Sequence, residues 1–350
     1  MTQARRESIL IIRLSAIGDV VVTTPVARAL RAAKPDAHLA WVVEPAARGF
    51  LEGNPFLDEV IVWDRKKGGL KWGDLMHVRS QLRTRRWDWV IDCQGNLRSA
   101  LVARLAGGRT IVGNTNAKEH ADLLYHRKVA RSSTDLSSRQ RCLDLLRPLG
   151  IETADRRMMV AVSDAERAAA QEVLAELEIA STERYMCLVP ATTWPQKHWF
   201  EPEWAALADR MRESLGMTPV ILGGPADVPM ANRIAEASRG GVAIAAGKTS
   251  LKTAAALLAG ARLTVAVDTG LMHASVAVGT PTVGVCGASW WKGFADYERF
   301  ALVREEMACS PCLHRPTCGG TFDCMRALTP ERVLAAARGL LDDGLMPVLS

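Results

Sequence analysis

Nowhere does the chain hold about 18 uninterrupted apolar residues, the length a membrane-spanning helix requires, so no span is expected. Its first apolar stretch, residues 9–12, is cut short by Arg13, and no small-residue cleavage site follows. That pattern predicts a first strand rather than a secretory signal, and a cytoplasmic protein. RNP-like, helix-turn-helix and C2H2 patterns are missing, and the most basic stretch has few aromatic residues among its cations. Both absences argue against a nucleic-acid partner. No Gly-x-Gly-x-x-Gly follows the first strand, which disfavours a dinucleotide oxidoreductase. Repeats and low-complexity tracts are lacking too.

What is present fits two ordinary domains: 350 residues, 48% of them hydrophobic, against ~150 residues per domain. The formal charge of +6 is unevenly spread. Residues 1–175 carry 28 Lys/Arg against 20 Asp/Glu, or +8, and residues 176–350 carry the remaining 16 against 18, or −2. A basic first half and a near-neutral second half predict that the first meets something anionic. The densest cations run from Arg65, Lys66 and Lys67 through Lys71, Arg79, Arg83, Arg85 and Arg86. They read either as a solvated loop and helix face or as a contact to acidic lipid or sugar.

Apolar runs alternate with helical patterns throughout. Residues 9–14, 39–43, 60–63, 89–92 and 110–112 read as strands of the first half, with helices over 20–33 and 99–106. Residues 157–162 read as a last strand or as the start of the connection, and 164–178, rich in Ala and Glu, as a helix. The second half restarts the plan with strands over 185–190, 218–223, 242–245, 263–267 and 281–286 and helices over 204–215, 230–238 and 251–259. This is an α/β chain with parallel sheets. The expected division is a first Rossmann-like domain over 1–175, a second over 176–329 and a last helix within 330–350 packing back on the first. The two sheets are expected to face each other across a cleft.

Three loops carry chemistry. Thr192-Thr193-Trp194-Pro195-Gln196-Lys197-His198-Trp199 and Val267-Asp268-Thr269-Gly270-Leu271-Met272-His273 each follow a strand and precede a helix. Their hydroxyls, single lysine and glycine turn at a helix N-terminus suit a diphosphate, because backbone N–H groups there favour anions. The third, Arg13-Leu14-Ser15-Ala16-Ile17-Gly18-Asp19, offers one carboxylate in the other half. A nucleotide pocket in one domain and a lone carboxylate in the other predict group transfer.

These loops, with Trp41-Val42-Val43-Glu44 and Val90-Ile91-Asp92-Cys93-Gln94-Gly95, resemble the ADP-heptose:lipopolysaccharide heptosyltransferases of glycosyltransferase family 9. The likeness runs over nearly the whole chain, in order. It implies a GT-B fold of two Rossmann-like domains and inverting transfer of heptose from ADP-heptose, with no metal or cofactor required for catalysis. The implied acceptor is Kdo2-lipid A or heptosyl-Kdo2-lipid A at the inner-membrane surface, the enzyme lying peripherally on its cytoplasmic face.

Within that reading Asp19 is the general base for the acceptor hydroxyl, since one-step inversion needs a base opposite the leaving group. Its plainer role is a helix cap. Lys197 stabilises the departing diphosphate, with Thr192 and Thr193 bonding the same phosphates; its plainer role is a surface lysine. Asp268 orients the Thr269 and Gly270 N–H groups or meets the donor sugar. His273, one turn beyond Thr269, either contacts phosphate or bonds a loop carbonyl. By resemblance Asp227 lies on the donor ribose, or caps a helix, and Thr249 lines the adenine pocket. Ser15 and Gly18 of the Asp19 loop, with Gln94, Asn96 and Arg98, are expected at the acceptor, Arg98 pairing an acidic sugar; packing and capping are the alternatives.

Cys309, Cys312, Cys318 and Cys324 have short spacings that suit a structural zinc ion, with an iron–sulfur cluster or unmetallated thiols as the alternatives. Cys93, Cys142, Cys187 and Cys286 sit on apolar segments and are expected in the core. Two departures from the family pattern fall near the donor: Gly287-Ala288-Ser289-Trp290-Trp291-Lys292 and Met272. They leave open another nucleotide-sugar or acceptor. A nucleotide-sugar epimerase of the same fold, which would need acid–base groups within the donor site, and a non-catalytic binder, which could dispense with Asp19, are the other readings.

Overall fold

The computed structural model describes residues 6–64, 72–132, 137–313 and 315–342. The chain forms two compact units, Met1–Ala161 and Val162–Ser350. In the first, β1 (Ser8–Ile12), β2 (His38–Val43), β3 (Glu59–Val62), β4 (Trp89–Asp92), β5 (Thr110–Asn114) and β6 (Arg127–Val129) form one parallel sheet in the order β3-β2-β1-β4-β5-β6. Its helices are α1 (Ile17–Thr23), α2 (Pro25–Ala33), α3 (Pro45–Arg48), α4 (Trp72–Leu82), α5 (Leu97–Ala106) and α6 (Ser138–Leu143). In the second, β7 (Tyr185–Val189), β8 (Thr218–Ile221), β9 (Ala243–Ile244), β10 (Thr264–Val267), β11 (Thr282–Val285) and β12 (Phe300–Val303) take the order β12-β11-β10-β7-β8-β9. That is the same doubly wound order repeated. Its helices are α7 (Asp164–Glu176), α8 (Glu201–Leu215), α9 (Val228–Ala237), α10 (Leu251–Gly260), α11 (Gly270–Ala277), α12 (Asp323–Arg326) and α13 (Pro330–Asp342).

The strands read as apolar runs because helices cover both faces of the sheet. In β1, Ile9 and Ile11 pack towards Val20, Val26 and Leu30, while Leu10 and Ile12 pack towards Val78, Ala100 and Val102. Each side chain buried this fully contributes about 2 kcal/mol.

Several expectations are corrected. The helix expected over 20–33 is two, α1 and α2, broken at Thr24 because Pro25 cannot donate into a continuous ladder. Of the two readings of residues 157–162 the connection is the one formed, without strand pairing; the sixth strand of this sheet is the short, charged β6. The unit boundary falls at 161/162 rather than 175/176, since α7 docks on α10 of the second unit. The last helix, expected to return to the first domain, belongs to the second. Val333, Ala336, Ala337 and Leu340 of α13 join the core around α8 and β12, which offers the apolar face they need. Residues 65–71, the densest part of the basic stretch, lie outside the described residues, while Arg83, Arg85 and Arg86 are exposed on the α4–β4 connection. Among the described residues no helix is long and apolar enough to cross a membrane.

Candidate active site

In parallel sheets all strands end on one edge, and ligands bind there, at the point where the strand order reverses. In the second unit the reversal lies between β7 and β10. Lys197 follows β7, Asp268 follows β10, and they meet: Lys197 Nζ donates to Asp268 Oδ2 at 2.5 Å. Ser289 Oγ, after β11, donates to the same oxygen at 2.6 Å. His273 Nε2 lies 3.5 Å from Asp268 Oδ1, and Thr192 Oγ1 donates to the Asp268 carbonyl at 3.1 Å. Trp194 stacks under the ammonium, Nζ lying 4.0 Å from the ring centroid. Although burial opposes its charge, His273 and Lys197 hold the Asp268 carboxyl far below the usual carboxylate range. The carboxylate is therefore an anchor that aims a lysine and a histidine beside the N-terminus of α11, where Thr269 is the cap residue and Gly270 the first helical residue.

Ser289 was invisible to pattern reading, because the loop that carries it departs from the family's form. Met272, the other departure, is buried in the core, where a Cβ on Gly284 of β11 would lie 3.4 Å from its sulfur. His198 is held by the Thr192 carbonyl at 2.8 Å, and Thr193 is exposed.

The remaining donor candidates follow β8 and β9 along the same edge. Asp227 Oδ2 accepts the Gly224 N–H at 2.8 Å, so the capping role is the one made here. The chain passes so near that a Cβ on Gly223 would lie 2.9 Å from Asp227. Thr249 precedes Ser250, whose hydroxyl caps α10. The row β11-β10-β7-β8-β9 thus presents Ser289, Asp268, Lys197, Asp227 and Thr249 in spatial order. At about 4.8 Å per strand it spans roughly 19 Å.

In the first unit the reversal lies between β1 and β4. Asp19 stands in the first turn of α1, within which Gly18 also lies, and its side chain is 47% exposed. It is not the cap, which is Ala16. Arg13, whose importance the sequence did not flag, is half-buried and reaches Asp19 Oδ2 at 2.6 Å with one terminal nitrogen. With the other it donates to the Cys93 carbonyl at 2.8 Å. Of the residues expected on the acceptor, Gln94 and Arg98 bond this loop and Asn96 caps the following helix. Gln94 Oε1 accepts the Leu14 and Ser15 N–H groups at 2.8 and 3.3 Å. Asn96 forms a reciprocal cap with Ser99 at the start of α5. Arg98 pairs with Glu44 at 3.2 Å and donates to Ser15 Oγ at 3.2 Å. The physical reason lies in Asp92: buried at the end of β4, it accepts the Gln94 and Gly95 N–H groups and the Ser99 and Tyr125 hydroxyls, and so fixes the turn.

Beside Asp19 a cavity of about 200 Å³ is lined by Arg13, Lys118, Arg131 and Arg141, with Asn114 among its polar walls. Among the described residues that line it, Asp19 is the one carboxylate against these four cations. Burial and the neighbouring Arg131 push the Arg141 guanidinium down, the signature of cations crowded together. Asn114 Oδ1 is buried without a partner among the described residues. Cys93 and Cys142 form part of the cavity wall; like Cys187 and Cys286 they are buried.

The four thiols expected at a zinc site lie near one another: beyond the effect of burial, Cys318 and Cys309 push the Cys312 thiol up, and Cys309, Cys312 and Cys318 push up that of Cys324. Among the described residues no three His, Cys, Asp or Glu side chains are placed to hold a metal ion. Cys324 is buried where a Cβ on Gly287 would strike it, Cys312 and Cys318 are half-buried, and Cys309 is exposed. The segment braces the site: Gln196 donates to the Leu313 carbonyl at 2.6 Å, and Ser310 to that of Gly287 at 2.6 Å.

Set against known proteins, residues 75–321 match glycosyltransferase family 9 (heptosyltransferase). A lipopolysaccharide heptosyltransferase 1 from Pseudomonas aeruginosa is 27% identical over 95% of this chain and 98% of its own. One from Escherichia coli K12 is 30% identical over 80% of this chain and 87% of its own. Among solved structures, the E. coli heptosyltransferase WaaC with ADP is similar with a TM-score of 0.75 at 26% identity, covering 95% of this chain and 99% of that one.

Proposed function

This chain belongs to glycosyltransferase family 9, the heptosyltransferases, and we propose that it transfers heptose from ADP-L-glycero-D-manno-heptose to the Kdo/heptose inner core of lipopolysaccharide. The fold is GT-B, and the enzyme is a glycosyltransferase. The observation that carries the donor reading is the Lys197–Asp268 pair at the strand-order reversal of the second unit, flanked by Ser289, Asp227 and Thr249 along one edge. A row of roughly 19 Å matches a nucleoside diphosphate sugar laid along the strand ends. Heptose lies towards Ser289, the diphosphate over Lys197 and the α11 amides, the ribose at Asp227 and the adenine towards Thr249.

The reaction is a single inverting displacement. Asp19 takes the proton from the acceptor hydroxyl, whose oxygen bonds to the anomeric carbon. The bond from that carbon to the diphosphate breaks, and the electron pair leaves with ADP. Lys197 and the helix N-terminus meet the growing negative charge, so no metal ion is needed for departure. Arg13 keeps the Asp19 carboxylate aimed.

The acceptor's anionic groups, Kdo carboxylates or phosphates, occupy the cation-lined cavity beside Asp19, and the enzyme works at the cytoplasmic face of the inner membrane. Arg141→Ala and Lys118→Ala should each raise the acceptor KM by roughly tenfold or more, with ADP affinity unchanged, as a lost charge-assisted hydrogen bond would. Steady-state kinetics with each substrate varied in turn checks this; an unchanged acceptor KM in both variants removes the cavity from the acceptor site.

The deciding experiment supplies purified protein, in the presence of a chelator, with ADP-heptose and either Kdo2-lipid A or heptosyl-Kdo2-lipid A. Product from one acceptor identifies which heptose is added, and its anomeric configuration tests inversion. No product from either, with ADP still bound, points to another sugar or acceptor.

A further inference from the structure

His273 has a second partner that lies outside every motif discussed above. Tyr297, between Phe294 and β12, places its hydroxyl 2.8 Å from His273 Nδ1. Both side chains are buried. The phenol is wedged between Phe294 and Phe300, with ring centroids 5.6 and 5.3 Å away, so its direction is fixed by packing.

A neutral imidazole has one donor nitrogen and one acceptor nitrogen, and its neighbours choose which is which. His273 Nε2 faces the Asp268 carboxylate. The carboxylate, 3.5 Å away, favours a hydrogen on Nε2 without fixing it there, and a donor to Nδ1 would complete the choice. The Tyr297 hydroxyl is placed to donate to it. We propose that Tyr297 is a positioning residue that locks His273 as an Nε2–H donor directed at Asp268 and the diphosphate beside it. The chain Tyr297–His273–Asp268–Lys197 then fixes both donor groups of the anion site from the core outward, which is how buried outer partners usually tune a functional histidine. This rests on the donor reading above, in so far as the aimed N–H serves a diphosphate.

The test uses the full chain labelled with ¹⁵N-histidine. Two-bond ¹H–¹⁵N correlation spectra report the tautomer of each ring, with His273→Asn assigning the signal. The wild type should show the Nε2–H form alone at neutral pH. Tyr297→Phe keeps the ring packing but removes the hydroxyl, and should show mixed tautomers with ADP affinity reduced by about fivefold, the worth of one hydrogen bond. In the His273→Asn background the same change should have no further effect on ADP binding. A pure Nε2–H form in Tyr297→Phe, or an equal loss with and without His273, overturns the proposal. Should the wild type bind no ADP, the donor reading fails by itself, while the tautomer spectra still decide what Tyr297 does.

Discussion

Asp19→Ala should lower kcat/KM by about 10² to 10⁴-fold, the usual worth of a positioned general base, while ADP affinity stays at the wild-type value. The separation follows from where Asp19 stands. It lies in α1 of the first unit, while Lys197, Asp268 and His273 belong to the second. Nothing it bonds to is part of the anion site; its ion-pair partner is Arg13. The substitution also leaves Arg13 without its carboxylate, and Asp19→Asn restores a neutral partner without restoring a base. If Asp19→Asn is as inactive as Asp19→Ala and both fold, the lost function is proton removal. Recovery of most activity in Asp19→Asn would make Asp19 a tether for Arg13 and would leave the base unassigned. A nucleotide-sugar epimerase or a non-catalytic binder, needing no acceptor base, would tolerate both changes. Calorimetric titration of ADP alongside the transfer assay gives the two readouts.

Lys197→Ala should weaken ADP binding by about 2–4 kcal/mol, a factor of roughly 30 to 1,000, and lower donor use with it. Two effects add here. The diphosphate loses its cation, and Asp268, with its side chain only 13% exposed, keeps its charge with one partner fewer. An uncompensated buried charge is costly, so part of the loss is structural. The variant pair Lys197→Met and Lys197→Met/Asp268→Asn separates them. Removing the orphaned carboxylate should recover thermal stability but not ADP affinity. Loss of ADP affinity as large in Asp19→Ala as in Lys197→Ala would refute the division of labour between the two units.

The same pair sets an acid limit. The folded state holds the Asp268 carboxyl below its ordinary pKa of about 3.9. Its stabilising contribution is therefore complete above that value and is lost as pH falls below it towards the folded one. Unfolding free energy measured between neutral pH and about pH 3 should fall less steeply for Asp268→Asn than for the wild type. Equal slopes would mean that the pair does not hold the carboxyl ionised.

Much of this molecule was legible in its sequence. Parallel strands covered on both faces must be apolar runs, and runs such as Ile9–Ile12 and Val265–Val267 mark their strands directly. Functional loops follow strand ends in such sheets, so Asp19, Lys197, Asp268 and His273 stand out as candidates by position as much as by type. The short strand β6, with exposed Arg127 and Lys128, carries no such signal. The course of α13 was not legible either, because an amphipathic helix specifies that it needs an apolar surface, not which one.

Partnerships between distant residues were decided only by tertiary structure. The sequence by itself determined the α/β class, the repeated βα plan and the loops that hold charge. That Asp268 anchors Lys197 and His273, that Ser289 joins them, that Arg13 holds Asp19 and that Gln94 and Arg98 brace the base loop required the sheets to be assembled. Periodicity reports which face of an element is buried; which charges then meet depends on strand order, and strand order brings together residues far apart in the chain, such as Ser15 and Arg98, 83 positions apart.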